Sequence, residues 1–210
     1  MKNFFFILFF LILSNFTPLN ALDVKEVNYY KDKKAWLVND GNLPIVAIKF
    51  AFKAGSGIDP KGKKGTANLS ASLLDEGAGN YSAKEFKKIL ADNSITLNFN
   101  VSHDNFYIDL YTLKENLDLS FQLLDLALTK PLFKLDEINR IKSNIKLILE
   151  QSYKDPDEIG SRLFREILFE GHPYQYDILG LSEDVDQINK EDLENFLQNN
   201  LRTDNLYVAA

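Results

Sequence analysis

Apolar and polar positions alternate with a period of two in the first half of this chain and recur at helical spacing in the second. From Ile45 to Lys53, the residues Val46, Ile48, Phe50 and Phe52 point one way and Ala47, Lys49, Ala51 and Lys53 the other, the pattern of a strand with one buried face. The shorter apolar run Ala35 to Val38 comes before it, and Asn39-Asp40-Gly41-Asn42 lies between, so the spacing predicts a hairpin. Ile95 to Ser102 is the cleanest strand, with Ile95, Leu97, Phe99 and Val101 on one face and Thr96, Asn98, Asn100 and Ser102 on the other. His103-Asp104-Asn105 turns the chain. Phe106, Ile108 and Leu110 then alternate with Tyr107, Asp109 and Tyr111, completing a second hairpin with one apolar face.

Helical segments fill the spaces and the C-terminal half. Gly65 to Glu76 reads as a helix ending at Gly77. Asp75 and Glu76 fall in its last turn, where the helix dipole disfavours acids by only a few tenths of a kcal/mol, so solvation is expected to accommodate them. Ser82 caps a helix running to Asp92, with Glu85 closing a capping box. Leu117, Phe121, Leu124 and Leu128 mark a helix that Pro131 ends, and Leu135, Ile138, Ile141, Ile145 and Ile148 define a longer one. Lys154-Asp155-Pro156 breaks the chain, with Asp155 capping a helix that carries Ile159, Leu163, Phe164 and Ile167. A last helix holds Ile188, Leu193, Phe196 and Leu197, and Leu206 to Ala210 reads as a strand that has just begun. Hairpins with one polar face followed by helices predict an α+β fold, an antiparallel-rich sheet with helices packed on one face.

The N-terminus changes the picture. Lys2 precedes an apolar run from Phe4 to Leu13 and a polar stretch ending in Ala21, the parts of a secretory signal peptide over residues 1–21. That run is short of the ~20 residues a membrane span needs, so no stable span is expected. The expectation is an exported protein, periplasmic or extracellular, with one domain over residues 22–210. With no cysteine, disulfides and thiolate metal sites are excluded. A net charge of −6 argues against binding nucleic acid.

Chemistry is scarce. No nucleophile elbow or phosphate loop is present, and the glycines and lysines of Lys61 to Gly65 read as a solvated basic turn. His103 is expected in a hairpin turn and His172 at a helix C-terminus, without a recognised metal-ligand spacing.

The succession Phe52-Lys53-Ala54-Gly55-Ser56, then Gly65-Thr66-Ala67-Asn68-Leu69-Ser70-Ala71-Ser72-Leu73-Leu74-Asp75-Glu76-Gly77, and later Gly171-His172-Pro173-Tyr174 and Thr203-Asp204-Asn205, resembles the N-terminal domain of the pitrilysin/insulinase metallopeptidase family. In active members an inverted His-x-x-Glu-His motif on this helix holds zinc and supplies the general base. Here those positions read Asn68, Ala71 and Ser72, so ligand, base and ligand are all absent. The third family ligand falls on Ile148 or Leu149, leaving Glu150 as the residual metal candidate. Zinc belongs to the active relatives, and no cofactor is expected here.

The chain looks most like a bacterial subgroup that lacks the ligands and accompanies an active member. That resemblance implies a non-catalytic subunit, paired with an active zinc-bearing homologue and helping to form a peptide-binding chamber. Asn98, Asn100, Tyr107 and Tyr111 are the peptide-binding candidates, with ordinary solvent-side strand positions as the alternative. The resemblance also implies a second, similar domain beyond Ala210. A stand-alone peptide-binding or scaffold protein, and an active peptidase with a rearranged site, remain alternatives.

Overall fold

The computed structural model describes residues 23–31, 33–41 and 43–210. The segment read as a signal peptide lies outside the described residues.

Six strands form one mixed sheet in the order β1-β2-β8-β3-β7-β6: β1 (Val24–Tyr30), β2 (Lys33–Val38), β3 (Ile45–Phe52), β6 (Thr96–Val101), β7 (Phe106–Leu113) and β8 (Leu206–Ala209). A small ladder, β4 (Gly77–Ala78) with β5 (Tyr81–Ser82), stands apart. The helices are α1 (Thr66–Leu73), α2 (Ala83–Asp92), α3 (Leu117–Thr129), α4 (Leu135–Ser152), α5 (Pro156–Leu168), α6 (Ser182–Gln187) and α7 (Lys190–Asn200). The expected α+β class is what the chain adopts.

The alternating faces of β3, β6 and β7 are oriented as the pattern predicts. Phe52, Leu97, Phe106, Ile108 and Leu110 are buried under the helices, where they meet Leu69 and Leu73 of α1, Phe86 of α2 and Phe196 of α7. β7 pairs along its whole length with β3, and β6 pairs with β7 alone, so β6 is an edge. Ser82 caps α2 in a complete capping box, and Asp155 caps α5 by accepting from the Asp157 and Glu158 amides.

The first hairpin is not formed. β2 pairs antiparallel with β1 and parallel with β8, and β8 separates it from β3. A turn sequence brings two strands close but does not make them partners. Here the C-terminal strand satisfies the facing amides of both β2 and β3, placing Phe50 and Val208 side by side in register.

Three helical readings also change. Phe121 and Leu135 are exposed, and Ile148 is half-exposed while its neighbour Leu149 is buried, so the core stripe of α4 runs through Ile138, Ile145 and Leu149. The predicted last helix is two, α6 and α7, with Val185, Ile188, Leu193, Phe196 and Leu197 all buried. No residue of α5 is buried.

Candidate functional site

The loop that carries the chain from β3 to α1 is laid directly on the β6–β7 turn. The amides of Gly55, Ser56 and Gly57 donate to the carbonyls of Asp104, Ser102 and His103 at 3.0, 2.9 and 2.8 Å. A Cβ on Gly55 would sit 2.4 Å from the His103 carbonyl, so only glycine permits this approach. At the other end of the loop the chain meets a second glycine, Gly180, where a Cβ would lie 2.0 Å from the Lys64 carbonyl oxygen.

Asp59 anchors α1. Its two carboxylate oxygens accept from the Gly65 and Ala67 amides at 2.8 and 2.9 Å, satisfying donors that the first helical turn leaves open. The residue is 5% exposed, and this burial pushes the carboxyl pKa from 3.8 up to about 6 against the opposing pull of the amides and Lys64. No capping signal stands beside the helix start, because the cap comes from six and eight residues upstream rather than from the adjacent position.

With its start held this way, α1 packs against β6, α4 and α7. Leu69, Ser70, Ala71 and Leu73 are buried, and Asn68 and Ser72, one turn apart, are half-buried. The Ser72 hydroxyl donates to the Asn68 carbonyl at 2.9 Å. Ala71 offers only a methyl group.

The later acidic candidate does not join these positions. Glu150 is exposed on α4 and lines an open depression of about 680 Å³ with Asn139, Lys142, Ser143, Lys146 and Asp186, and none of the three motif positions lines it. Of the two residues read at the ligand position, Ile148 is half-exposed and Leu149 is 3% exposed and faces the core. A hydroxyl committed to a carbonyl, a methyl group, a neutral amide and an aliphatic side chain do not fit a zinc ion, which takes imidazole, thiolate or carboxylate donors. Among the described residues no three His, Cys, Asp or Glu side chains come together as metal ligands.

Glu76, at the exit of α1, is not solvated as its position suggested. It is 8% exposed and paired at 2.7 Å with both Lys87 of α2 and Arg140 of α4, while Arg140 also pairs with Glu137 at 2.7 Å. Burial pushes the Glu76 carboxyl up, but the two cations together hold it below its ordinary value. Its neighbour Asp75 is pushed up by burial, with Lys87 only partly opposing. The pairing was invisible locally because both cations come from other helices.

On the sheet face away from the helices, Asn98 and Asn100 of β6 are exposed, Tyr107 is half-buried and Tyr111 is 47% exposed. Asn100 stands opposite Tyr107, and Thr96 opposite Tyr111. The row through Asn98 continues to Asp109 and Lys49, which pair at 2.5 Å. The structure thus gathers all four candidates on one face next to an open sheet edge.

The two histidines, far apart in sequence, also meet. Each ring lies 4.8 Å from the Tyr174 ring, around a depression of about 580 Å³ shared with Lys53, Ile58 and Asp104. The Tyr174 hydroxyl lies 2.7 Å from both Asp104 carboxylate oxygens and donates to them, and this bond, with some desolvation, raises the phenol's pKa. His103 Nε2 is 3.1 Å from the Tyr176 carbonyl. His172 does not close α5: its Nδ1 accepts from the Tyr174 amide, capping the short turn Pro173–Gln175 instead.

The model of the insulinase family, peptidase family M16, matches residues 34–182, the stretch containing α1, β6, β7 and α4. The chain belongs to this family. It is 30% identical over 175 residues to a protein of Helicobacter pylori named non-peptidase homolog YmxG, covering 83% of this chain and 40% of that protein. The peptidase M16 inactive domain from Pseudomonas fluorescens shares the fold with a TM-score of 0.84 at 22% identity, over 90% of this chain and 46% of that one. Pitrilysin does so with a TM-score of 0.73 at 15% identity, over 92% of this chain and 21% of that one. The chain spans less than half the length of these relatives. Asn68, Ala71 and Ser72, the positions read from the sequence as the degenerate motif, lie on α1, within the matched stretch.

Proposed function

We propose that this chain is a non-catalytic member of peptidase family M16 that works with an active, zinc-bearing homologue and helps to enclose a peptide substrate. One observation carries the reading: α1 is capped, packed and set against the edge strand β6, while Asn68, Ala71 and Ser72 supply neither metal ligand nor base. A helix kept in this condition without its chemistry is consistent with a binding or structural role. The names of two similar proteins, a non-peptidase homologue and an inactive domain, support it.

In this proposal the peptide adds as an extended strand to the open edge of β6. Its backbone pairs with the edge, and Asn98, Asn100, Tyr107 and Tyr111 contact its side chains. The protein is exported and its N-terminal segment removed.

The test combines two measurements. Zinc in the purified chain, read by plasma mass spectrometry after dialysis against trace zinc, is expected to be absent. A homologue carrying His-x-x-Glu-His, assayed on a quenched fluorogenic peptide, is expected to lose rate or stability when this chain is omitted. One tightly bound zinc per chain with chelator-sensitive cleavage overturns the non-catalytic reading. An unchanged partner overturns the pairing and leaves a stand-alone peptide-binding role.

A further inference from the structure

A cavity of about 300 Å³ lies where the end of α4, the domain-facing side of α5 and the loop from Gln175 to Leu181 come together. Arg162 and Arg165, three residues apart and so on one side of α5, both line it. Neither guanidinium is fully used by the protein. Arg162 is held by its flat face, 4.4 Å from the centre of the Tyr153 ring, and its contact with Glu166 is 3.9 Å long, past hydrogen-bond distance. Arg165 pairs with one Asp177 oxygen through a terminal nitrogen at 3.2 Å, while the other Asp177 oxygen accepts from the Leu179 amide at 2.9 Å. That leaves the Nε–H of Arg165, the second prong of the same fork. It is shut off from solvent and has no acceptor among the described residues. A shielded donor without a partner is rare in a folded protein, and an anionic oxygen is the acceptor that a guanidinium binds best.

The acids around the cavity narrow the choice of anion. Asp177 is already committed. Glu158 and Glu166 also line it, and both are exposed, so they stand where it meets solvent. These two charges oppose a bare anion such as phosphate and favour a carboxylate that carries an ammonium beside it. Much of the remaining wall is aliphatic or aromatic, from Leu149, Leu181, Tyr153 and Tyr176. The volume is at the low end for small-molecule sites, which run from about 300 to 1,000 Å³, and suits a ligand of amino-acid size.

We propose that this cavity binds a free α-amino acid with an apolar side chain. Its carboxylate lies on Arg162 and Arg165, its ammonium faces Glu158 and Glu166, and its side chain rests against the leucines and tyrosines. A planar carboxylate matches the guanidinium fork, which a lysine would not reproduce. The site involves neither α1 nor the β6 edge, so it stands apart from the peptide-binding proposal.

The test is isothermal titration calorimetry of the full chain with L-leucine and L-phenylalanine. Binding in the millimolar range or tighter is expected. L-leucinamide, which lacks the carboxylate, and N-acetyl-L-leucine, which lacks the ammonium, are each expected to bind at least about tenfold more weakly. Arg165→Lys keeps a charge for Asp177 but removes the Nε–H, and Arg162→Gln removes the other guanidinium. Each is expected to weaken L-leucine by at least about tenfold, with the fold checked by circular dichroism. Glu158→Gln is expected to weaken L-leucine but not N-acetyl-L-leucine. If Arg165→Lys fails to fold, Arg162→Gln and the two analogues decide. No binding of either amino acid overturns the proposal. So does equal binding of L-leucine and its two analogues, or unchanged affinity in the folded arginine variants. Inorganic phosphate that displaces L-leucine at equal strength also overturns it, by assigning the arginines to a plain anion site.

Discussion

Replacing Asp59 by Asn tests whether a buried carboxylate holds the start of the motif helix. An acid whose pKa is higher in the fold than in the unfolded chain keeps its proton more readily when folded. Its contribution is therefore fully present below the unfolded value of 3.8 and is lost as the pH rises toward about 6. At about 1.4 kcal/mol per tenfold change in proton affinity, the whole swing is about 3 kcal/mol, of which about 2 kcal/mol falls between pH 4 and pH 7. The substituted amide would keep one acceptor for the two backbone donors and turn its own N–H₂ toward the other, a cost of about 1–3 kcal/mol that does not change with pH. Only the difference between the two proteins across pH isolates the ionisation. Urea unfolding followed by circular dichroism at pH 4, 5, 6 and 7 gives that difference directly. The stability of the native protein relative to Asp59→Asn is expected to fall by about 2 kcal/mol from pH 4 to pH 7. A flat difference refutes the reasoning by showing a carboxyl with an ordinary pKa. A difference that rises with pH shows that the amide bonds outweigh desolvation.

Other substitutions probe the same frame. Glu76→Gln removes the charge that Lys87 and Arg140 share and is expected to cost about 2 kcal/mol at pH 7, less than a fully buried pair because both cations are half-exposed. Its carboxyl lies below its ordinary value in the fold, so the stability it contributes is present above pH 4.5 and lost as the pH falls through the folded value; the cost in urea titrations should shrink accordingly at acid pH. Ser70 is fully buried in α1 and its hydroxyl has no partner, so Ser70→Ala should raise stability by about 1 kcal/mol; a loss of stability in urea unfolding would show that the hydroxyl is bonded. Gly55→Ala forces a methyl group into the His103 carbonyl and should cost about 3 kcal/mol, whereas Gly160→Ala, in open space on a helix, should gain about 1 kcal/mol in the same thermal-unfolding measurement. Equal effects at the two glycines would refute the close approach of the entry loop to the β6–β7 turn.

By itself the sequence determined the local elements and their faces. The two-residue period of Ile45–Lys53, Ile95–Ser102 and Phe106–Tyr111 is a property of the extended chain, and a strand with one apolar side buries that side. Ser82 with Glu85, and Asp155 before Pro156, act on amides within three residues, so their caps were legible directly. That Asn68, Ala71 and Ser72 share one side of α1 was legible for the same reason, since they lie within one helical turn.

The tertiary structure decided everything that depends on which distant groups meet. β8 displaced the expected β2–β3 hairpin because backbone amides accept any strand that arrives in register, and turn chemistry cannot forbid it. Glu76 is buried and paired because α2 and α4 bring Lys87 and Arg140 to it, while Asp59 reaches across a loop to hold α1. The apolar spacing of α5 predicted a helix correctly but not its orientation. Periodicity says which side is apolar, and only the packing of Arg162 and Arg165 against the domain shows that this side faces away from it.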